Sequence, residues 1–338
     1  MEDLETTART MVAPGKGILA VDETIPTCTK RFAEFGIDST EDSRRAYRQM
    51  FFTTPGVSDY ISGAILFDET IRQRSDDGTP FAELLASLGV LPGIKVDKGV
   101  SPLAEAPGET LTEGLDGLRE RLDEYRQMGA RFTKWRAVIT IGAEIPTRAA
   151  IDANAHALGR YAALAQEAGL VPIVEPEVLM SGDHDIARCQ TVTEDVLRSV
   201  FEQLASQQCL LEGMVLKPNM VTSGSECPVR ADTGEVAERT LETLRRCVPA
   251  QVPGVAFLSG GLSGEAACTN LNAMTAAGPH PWELTFSFGR ALQYPALQIW
   301  HGDPDNVAAA QAAFLHRARM SSLARSGSYA PAMESAAA

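Results

Sequence analysis

Short apolar runs alternate with long amphipathic stretches along the whole chain. Eight runs have the length and composition of strands: residues 17–22 (GILAVD), 61–67 (ISGAILF), 93–97 (GIKVD), 132–138 (FTKWRAV), 171–177 (VPIVEPE), 213–217 (GMVLK), 254–259 (GVAFLS) and 283–288 (ELTFSF). Helical periodicity between them predicts helices over 115–128, 148–168, 185–206, 235–247, 265–276 and 306–326. Gly129, Gly169, Gly278 and Gly327 stand where left-handed caps would end four of these. Strands separated by helices of this length pair in parallel through βαβ units. An open doubly wound sheet is compatible with that count. Eight alternations in 338 residues fit a (β/α)8 TIM barrel with terminal additions better. No Pro/Ser-rich linker, charge block or low-complexity segment divides the chain. The expected organisation is one domain, 1–338: an N-terminal helical extension (1–16), the barrel (17–326) and a short flexible C-terminal tail of small residues (327–338).

The polar residues fall at the strand ends. Six of the eight runs carry a charged residue beyond their first position or end in a hydroxyl: Asp22, Lys95 with Asp97, Lys134 with Arg136, Glu175 with Glu177, Lys217, and Ser259; the eighth is followed by Gly289-Arg290. Residues two apart on a strand share a face. In a barrel one face of every strand is interior, and charges there are costly in the middle layers. They are tolerated at the C-terminal mouth, where barrel enzymes place their sites. A single such residue would be an ordinary surface charge at a turn. This number of them marks a pocket.

Composition sharpens the picture. Thirty basic against 44 acidic residues give a net charge of −14, which argues against nucleic acid or an anionic membrane as partner. No apolar run approaches the roughly 18 residues of a membrane span. The acidic start Met1-Glu2-Asp3 lacks the basic and apolar regions of a signal peptide, so a cytoplasmic location is expected. The six cysteines show no metal or redox spacing and read as reduced thiols. Only six of the basic residues are lysine, and three of those six (Lys95, Lys134, Lys217) sit in strand runs. Arginine does not lose its proton in a protein, whereas lysine does. A chain that otherwise uses arginine but keeps lysine here has a use for a primary amine.

Lys95, Lys134, Arg136, Lys217 and Arg290 outnumber Asp22, Asp97, Glu175 and Glu177, so the pocket suits a small anion. Ser259-Gly260-Gly261 after the seventh strand and Gly289-Arg290 after the eighth stand where barrels commonly hold a phosphate. An ordinary tight turn is the alternative for the glycines. Lysine among carboxylates and other cations suggests catalysis through a Schiff base. Burial and a neighbouring cation lower a lysine's proton affinity and make it nucleophilic. Glu175 or Glu177 could then serve as the acid that expels water from the carbinolamine. Other chemistries find less support. LSGGL at 258–262 resembles an ATPase signature, but no GxxxxGK[ST] accompanies it, and no GxGxxG follows a strand. Asp183-His184-Asp185 opens a helix, where aspartate is an ordinary cap. No strand ends in histidine, so neither a metal nor a cofactor is expected.

The motifs Gly17-Ile-Leu-Ala-Val-Asp22-Glu23, Ile94-Lys-Val-Asp-Lys-Gly99, Lys134-Trp-Arg136, Val174-Glu-Pro-Glu177, Leu216-Lys-Pro-Asn-Met220, Phe257-Leu-Ser-Gly-Gly261 and Phe286-Ser-Phe-Gly-Arg-Ala-Leu-Gln293 are long, ordered and specific. Along nearly its whole length the chain resembles class I (Schiff-base) fructose-bisphosphate aldolase. The resemblance implies reversible cleavage of fructose 1,6-bisphosphate to dihydroxyacetone phosphate and glyceraldehyde 3-phosphate. It implies Lys217 as the imine lysine and Glu175 as acid and base in carbinolamine formation and dehydration. Glu177 and Lys134 would position and polarise the site, and Asp22 would take the C4 hydroxyl proton. Ser259, Gly260, Gly261, Gly289 and Arg290 would lie at the phosphate of the ketose half, and Lys95, Arg136, Thr24 and Thr27 toward the other. A homotetramer is also implied.

Two positions depart from the family's pattern. The first-strand loop usually reads Asp-Glu-Ser-Thr-Gly-Ser, and here it is Asp22-Glu-Thr-Ile-Pro-Thr27, a stiffer segment. Eukaryotic members end in a tyrosine that serves C3 proton transfer; here the last residues are Glu334-Ser-Ala-Ala-Ala338. Another Schiff-base barrel enzyme of the transaldolase type, or a non-catalytic scaffold role, are the competing readings. Two phosphate sites weigh against the first, and an active Lys217 would exclude the second.

Overall fold

Ten strands form along the chain in the computed structural model, which describes residues 2–337. They are β1 (Gly17–Ala20), β2 (Ile61–Leu66), β3 (Leu91–Lys95), β4 (Val100–Pro102), β5 (Thr110–Thr112), β6 (Phe132–Ile139), β7 (Val171–Val178), β8 (Val215–Leu216), β9 (Gly254–Phe257) and β10 (Glu283–Phe288). Eight of them, in the order β1-β10-β9-β8-β7-β6-β3-β2, close into a barrel whose neighbours all pair in parallel. These are the eight runs expected as strands, and the open doubly wound alternative is excluded. The helices Leu118–Gln127, Arg148–Glu167, Ile186–Ser206, Thr233–Cys247, Gly264–Ala276 and Val307–Arg325 match the periodic segments within a few residues. Gly129, Gly169, Gly278 and Gly327 all have positive φ, as their capping role requires. Asp185 accepts a hydrogen bond from the Arg188 N–H and caps the helix that begins at Ile186.

Alternation along the barrel strands sorts the core in two. Outward residues such as Leu19, Leu66, Trp135, Leu216 and Phe286 pack under the helices. Inward residues Ile18, Ile65, Phe132, Ile173, Val215 and Ala256 fill the barrel, and the helix Glu2–Met11 closes its base by adding Leu4, Ala8 and Met11 to the same cluster. Phe132 needs two glycines to fit. A Cβ on Gly93 would lie 2.2 Å from its ring, and one on Gly63 would lie 2.9 Å away. Arg325 holds the end of the plug by donating to the carbonyls of Val12 and Ala13. Among the described residues no helix is long and apolar enough to cross a membrane.

Three expectations need correction. The segment after Asp22 is not a loop: Thr24 caps a helix, Ile25–Ala33, with its Oγ1 3.0 Å from Thr27 Oγ1. Pro26 sits in the first turn, where a missing N–H costs nothing and the fixed φ suits the helix. Strand β8 has two residues where five were expected, although the Lys217 N–H still donates to the Val174 carbonyl at 2.8 Å. The tail is anchored where a loose one was expected. Glu334 accepts from Tyr329 Oη at 2.8 Å and pairs with Arg317 and, at 3.2 Å, with His316. Periodicity did not resolve the helices Glu41–Phe52 and Arg290–Trp300 or the β4–β5 hairpin.

Candidate active site

The C-terminal ends of the barrel strands surround a cavity of about 560 Å³. Every residue named above for catalysis or substrate lines it: Lys217, Glu175, Asp22, Lys134 and Glu177 at the centre, and Lys95, Arg136, Ser259, Gly260, Gly261, Gly289, Arg290, Thr24 and Thr27 around them. The strands deliver these groups at one height. Arg136 pairs in register with Glu175 on β7, and Lys134 with Lys95 on β3. Lys217 follows β8, and its loop is fixed by Asn219, whose Oδ1 accepts from the Val178 N–H at 3.0 Å.

Two lysines share one carboxylate at the centre, but unequally. Lys134 Nζ lies 2.9 Å from Asp22 Oδ2 and 2.8 Å from Glu175 Oε2. The second contact is an ion pair whose angle leaves Glu175 Oε2 without a proper hydrogen bond. Lys217 Nζ has, among the described residues, only Glu175, at 3.3 Å from Oε1. All four side chains are buried or nearly so. Burial pushes the proton affinity of Lys217 down; Glu175 pulls it back, the Lys134 cation lowers it again, and the net direction is down. Burial acts on Lys134 in the same sense, but Asp22 and Glu175 together outweigh it and hold its ammonium well above the ordinary lysine range. Glu175 is raised by burial and lowered by Lys134, Lys217 and Arg136, with a net lowering. Asp22, also opposed by burial, is brought down to about 2 by Lys134 and Lys217. The resting site therefore holds two carboxylates, one firmly charged ammonium and one amine disposed to lose its proton.

Flanking pairs hold the rim. Arg136 Nε donates to Glu177 Oε2, and the Lys95 ammonium donates to both the carboxylate and, at 2.8 Å, the carbonyl of Asp97. Asp97 also accepts from the Gly99 N–H at 3.1 Å and the Arg136 N–H at 3.3 Å, so it ties β3 to β6 above the barrel.

The opposite wall is built for an anion. Gly260 (φ 56°) and Gly261 (φ 93°) line the cavity in left-handed conformations that a side chain would strain, so nothing beyond backbone stands between them and a bound anion. Gly289 precedes the helix Arg290–Trp300, whose N-terminus faces the same space. Arg290 has no ion-pair partner among the described residues and is exposed at the wall. Two further groups belong here that the strand-end pattern did not single out. Ser287 Oγ is buried, lines the cavity and has no hydrogen-bond partner among the described residues. Arg31 reaches the wall from the helix Ile25–Ala33 and pairs with Glu23. Alternation alone would have found Ser287, which lies two residues before Gly289 on the inward face. Nothing in the strand pattern points to Arg31, because it comes from a helix.

The chain as a whole is similar to known proteins. A family model described as glycolytic class-I fructose-bisphosphate aldolase matches residues 3–338. A probable fructose-bisphosphate aldolase class 1 of Xanthomonas campestris pv. campestris is 57% identical over 330 residues, covering 97% of this chain and 99% of the relative. Fructose-bisphosphate aldolase C of Rattus norvegicus is 51% identical, covering 97% of this chain and 91% of its own. Among solved structures, the fructose-bisphosphate aldolase of Plasmodium falciparum, in a ternary complex with TRAP and a small-molecule inhibitor, superposes with a TM-score of 0.96 at 49% identity. That match covers 97% of this chain and 95% of that one.

Proposed function

The chain belongs to the class I fructose-bisphosphate aldolases, metal-independent lyases that cleave fructose 1,6-bisphosphate reversibly to two triose phosphates, and from that we propose which of its side chains do the work. Lys217 is the nucleophile. The observation that carries this is the unequal sharing of Glu175: Lys134 is gripped by two carboxylates and stays charged, while Lys217 has one, at 3.3 Å, beside a cation. The Lys217 amine adds to the C2 carbonyl to give a carbinolamine. Lys217 gives up two protons on its way from ammonium to iminium: one reaches the C2 oxygen as the amine adds and makes the carbinolamine hydroxyl, and Glu175 takes the other and delivers it to that hydroxyl, which leaves as water. The C3–C4 bond then breaks. Its electron pair flows to the imine nitrogen as an enamine, while the C4 hydroxyl becomes the aldehyde and passes its proton to Asp22. With a proton affinity as low as about 2, Asp22 takes that proton only as the bond breaks and the hydroxyl becomes strongly acidic. Once the enamine is protonated at C3, water releases dihydroxyacetone phosphate. Lys134 and Glu177 hold the charges in place.

Ser259, Gly260, Gly261, Gly289 and Arg290 take the phosphate on C1, with Ser287 offering a hydroxyl beside it. Lys95, Arg136, Thr24 and Thr27 lie toward the phosphate on C6. We also read residues 1–338 as one domain (an extension, the barrel of 17–326 and the tail) and the protein as a cytoplasmic homotetramer, as its family membership suggests.

Reduction with borohydride in the presence of dihydroxyacetone phosphate tests the assignment. The three-carbon label is expected on the peptide that contains Lys217; a label on Lys95 or Lys134 would overturn it. Arg290→Ala separates binding from chemistry. Losing a charged hydrogen bond worth about 1.5–3 kcal/mol raises KM roughly ten- to a hundredfold. Lys217 still forms its imine in that variant. An unchanged KM for the bisphosphate would place the phosphate elsewhere.

A further inference from the structure

Beneath the phosphate wall lies a buried polar network that the reaction as described does not use. Its centre is Gln293, on the helix Arg290–Trp300, one turn after Arg290 and only 1% exposed. Its Nε2 donates to the Ala20 carbonyl at the end of β1, at 2.5 Å, and to Glu23 Oε1 at 2.8 Å. Its Oε1 accepts from Tyr47 Oη at 2.9 Å. Glu23 is also buried, and the same Oε1 accepts from Arg31 Nη1 at 2.5 Å. Its other oxygen makes no hydrogen bond and lies 3.7 Å from the buried Arg48 guanidinium. Glu23 is the one ion-pair partner of Arg31 among the described residues, and Arg31 reaches the cavity wall with its side chain 22% exposed.

We propose that Gln293 is a positioning residue for substrate binding: through Glu23 it sets the Arg31 guanidinium at the wall that takes the C1 phosphate. The geometry is specific to an amide. One side chain must donate twice, to a carbonyl and a carboxylate, and accept once, from a phenol. A carboxylate in its place would repel Glu23, and an aliphatic side chain would remove the acceptor of the Tyr47 hydroxyl and a donor from both the Ala20 carbonyl and Glu23. The same amide fastens the end of β1, two residues before Asp22, to the helix that carries Arg290. It therefore sets the distance between the proton acceptor and the phosphate wall. Arg31 is held from behind by one carboxylate oxygen, so the direction in which that oxygen points decides where the cation stands. The role rests on the reading of the wall as a phosphate site, and the test keeps the two apart.

Steady-state kinetics with fructose 1,6-bisphosphate and with fructose 1-phosphate, which share the C1 phosphate, would be measured for Gln293→Met, Arg31→Ala, Arg290→Ala and the double variant Gln293→Met/Arg31→Ala. Inhibition by inorganic phosphate would be measured alongside. Gln293→Met is expected to raise KM about tenfold for both substrates and weaken phosphate inhibition equally, with kcat within about twofold, a coupling of the size found between contacting groups. In the Arg31→Ala background the same substitution should raise KM by less than about twofold, because the cation it positions is gone. A purely structural role would lower thermal stability in both backgrounds and multiply the two KM effects, and that result overturns the proposal. An unchanged KM in Arg31→Ala also overturns it; a raised KM in Arg290→Ala would then show that the phosphate site itself stands. If Gln293→Met does not fold, Gln293→Asn keeps the amide but shortens its reach, and it should show the same non-additive rise in KM.

Discussion

Lys217→Met is expected to lower cleavage by on the order of 10⁴-fold or more and to abolish borohydride trapping, while circular dichroism and melting temperature stay near those of the parent protein. Methionine fills a similar volume, and the buried Glu175 keeps a cation, because Lys134 stands 2.8 Å from its other oxygen. The loss would therefore be chemical. Without the amine there is no iminium to accept the electron pair of the C3–C4 bond, and no other group among those lining the cavity replaces a covalent electron sink. Residual cleavage within a hundredfold of the parent, with Lys134 or Lys95 carrying the label, would mean that the nucleophile has been misassigned.

Glu175→Gln is expected to reduce kcat by about 10²- to 10⁴-fold, the usual range for removing a positioned acid–base group. Its pH profile should move in a definite direction. Glu175 is one of the groups that raise the proton affinity of Lys217; burial and Lys134 lower it. Removing the carboxylate charge takes away a raising influence, so Lys217 should lose its proton at lower pH than before. If that deprotonation sets the acidic limb of kcat/KM, the limb shifts toward lower pH while the plateau falls. Kinetics over a broad pH range, combined with the rate of trapping, would check both changes. A limb that moves to higher pH would show that Glu175 depresses the lysine's proton affinity and that the electrostatic assignment is reversed.

The barrel is legible in the chain because its strands are short apolar runs with helices of regular period between them, and because polar residues gather where those runs end. The same property made the polar cluster legible: a charge is conspicuous within or just after an apolar strand, where Lys134, Glu175 and Lys217 stand. Groups brought in by helices were less visible. Arg31 lies in IPTCTKRFA, a helix opened by Thr24 and stiffened by Pro26, and one more arginine in a chain rich in arginine carries no mark of its purpose. Gln293 carries no mark of its own in the sequence, since the role of a buried amide depends on partners contributed by β1 and by the helix Glu41–Phe52. The tail departs from expectation for a related reason. Small residues around Glu334 favour disorder taken alone, but a single carboxylate finds Arg317, Tyr329 and His316 already assembled on neighbouring elements.

The plugged base of the barrel bears on the order of events during turnover. With Leu4, Ala8, Met11 and Phe132 filling the lower half, the chamber is a cul-de-sac, and both products leave through the entrance that admitted the sugar. In the proposed reaction one triose is still joined to Lys217 when the bond breaks; the other is free at once. The aldehyde must therefore clear that entrance before water can reach and discharge the tethered ketose. A dead-end inhibitor that occupies the vacated aldehyde position should then prolong the life of the tethered intermediate. Opening a second route through the base would uncouple the two departures and expose the reactive enamine to water from below.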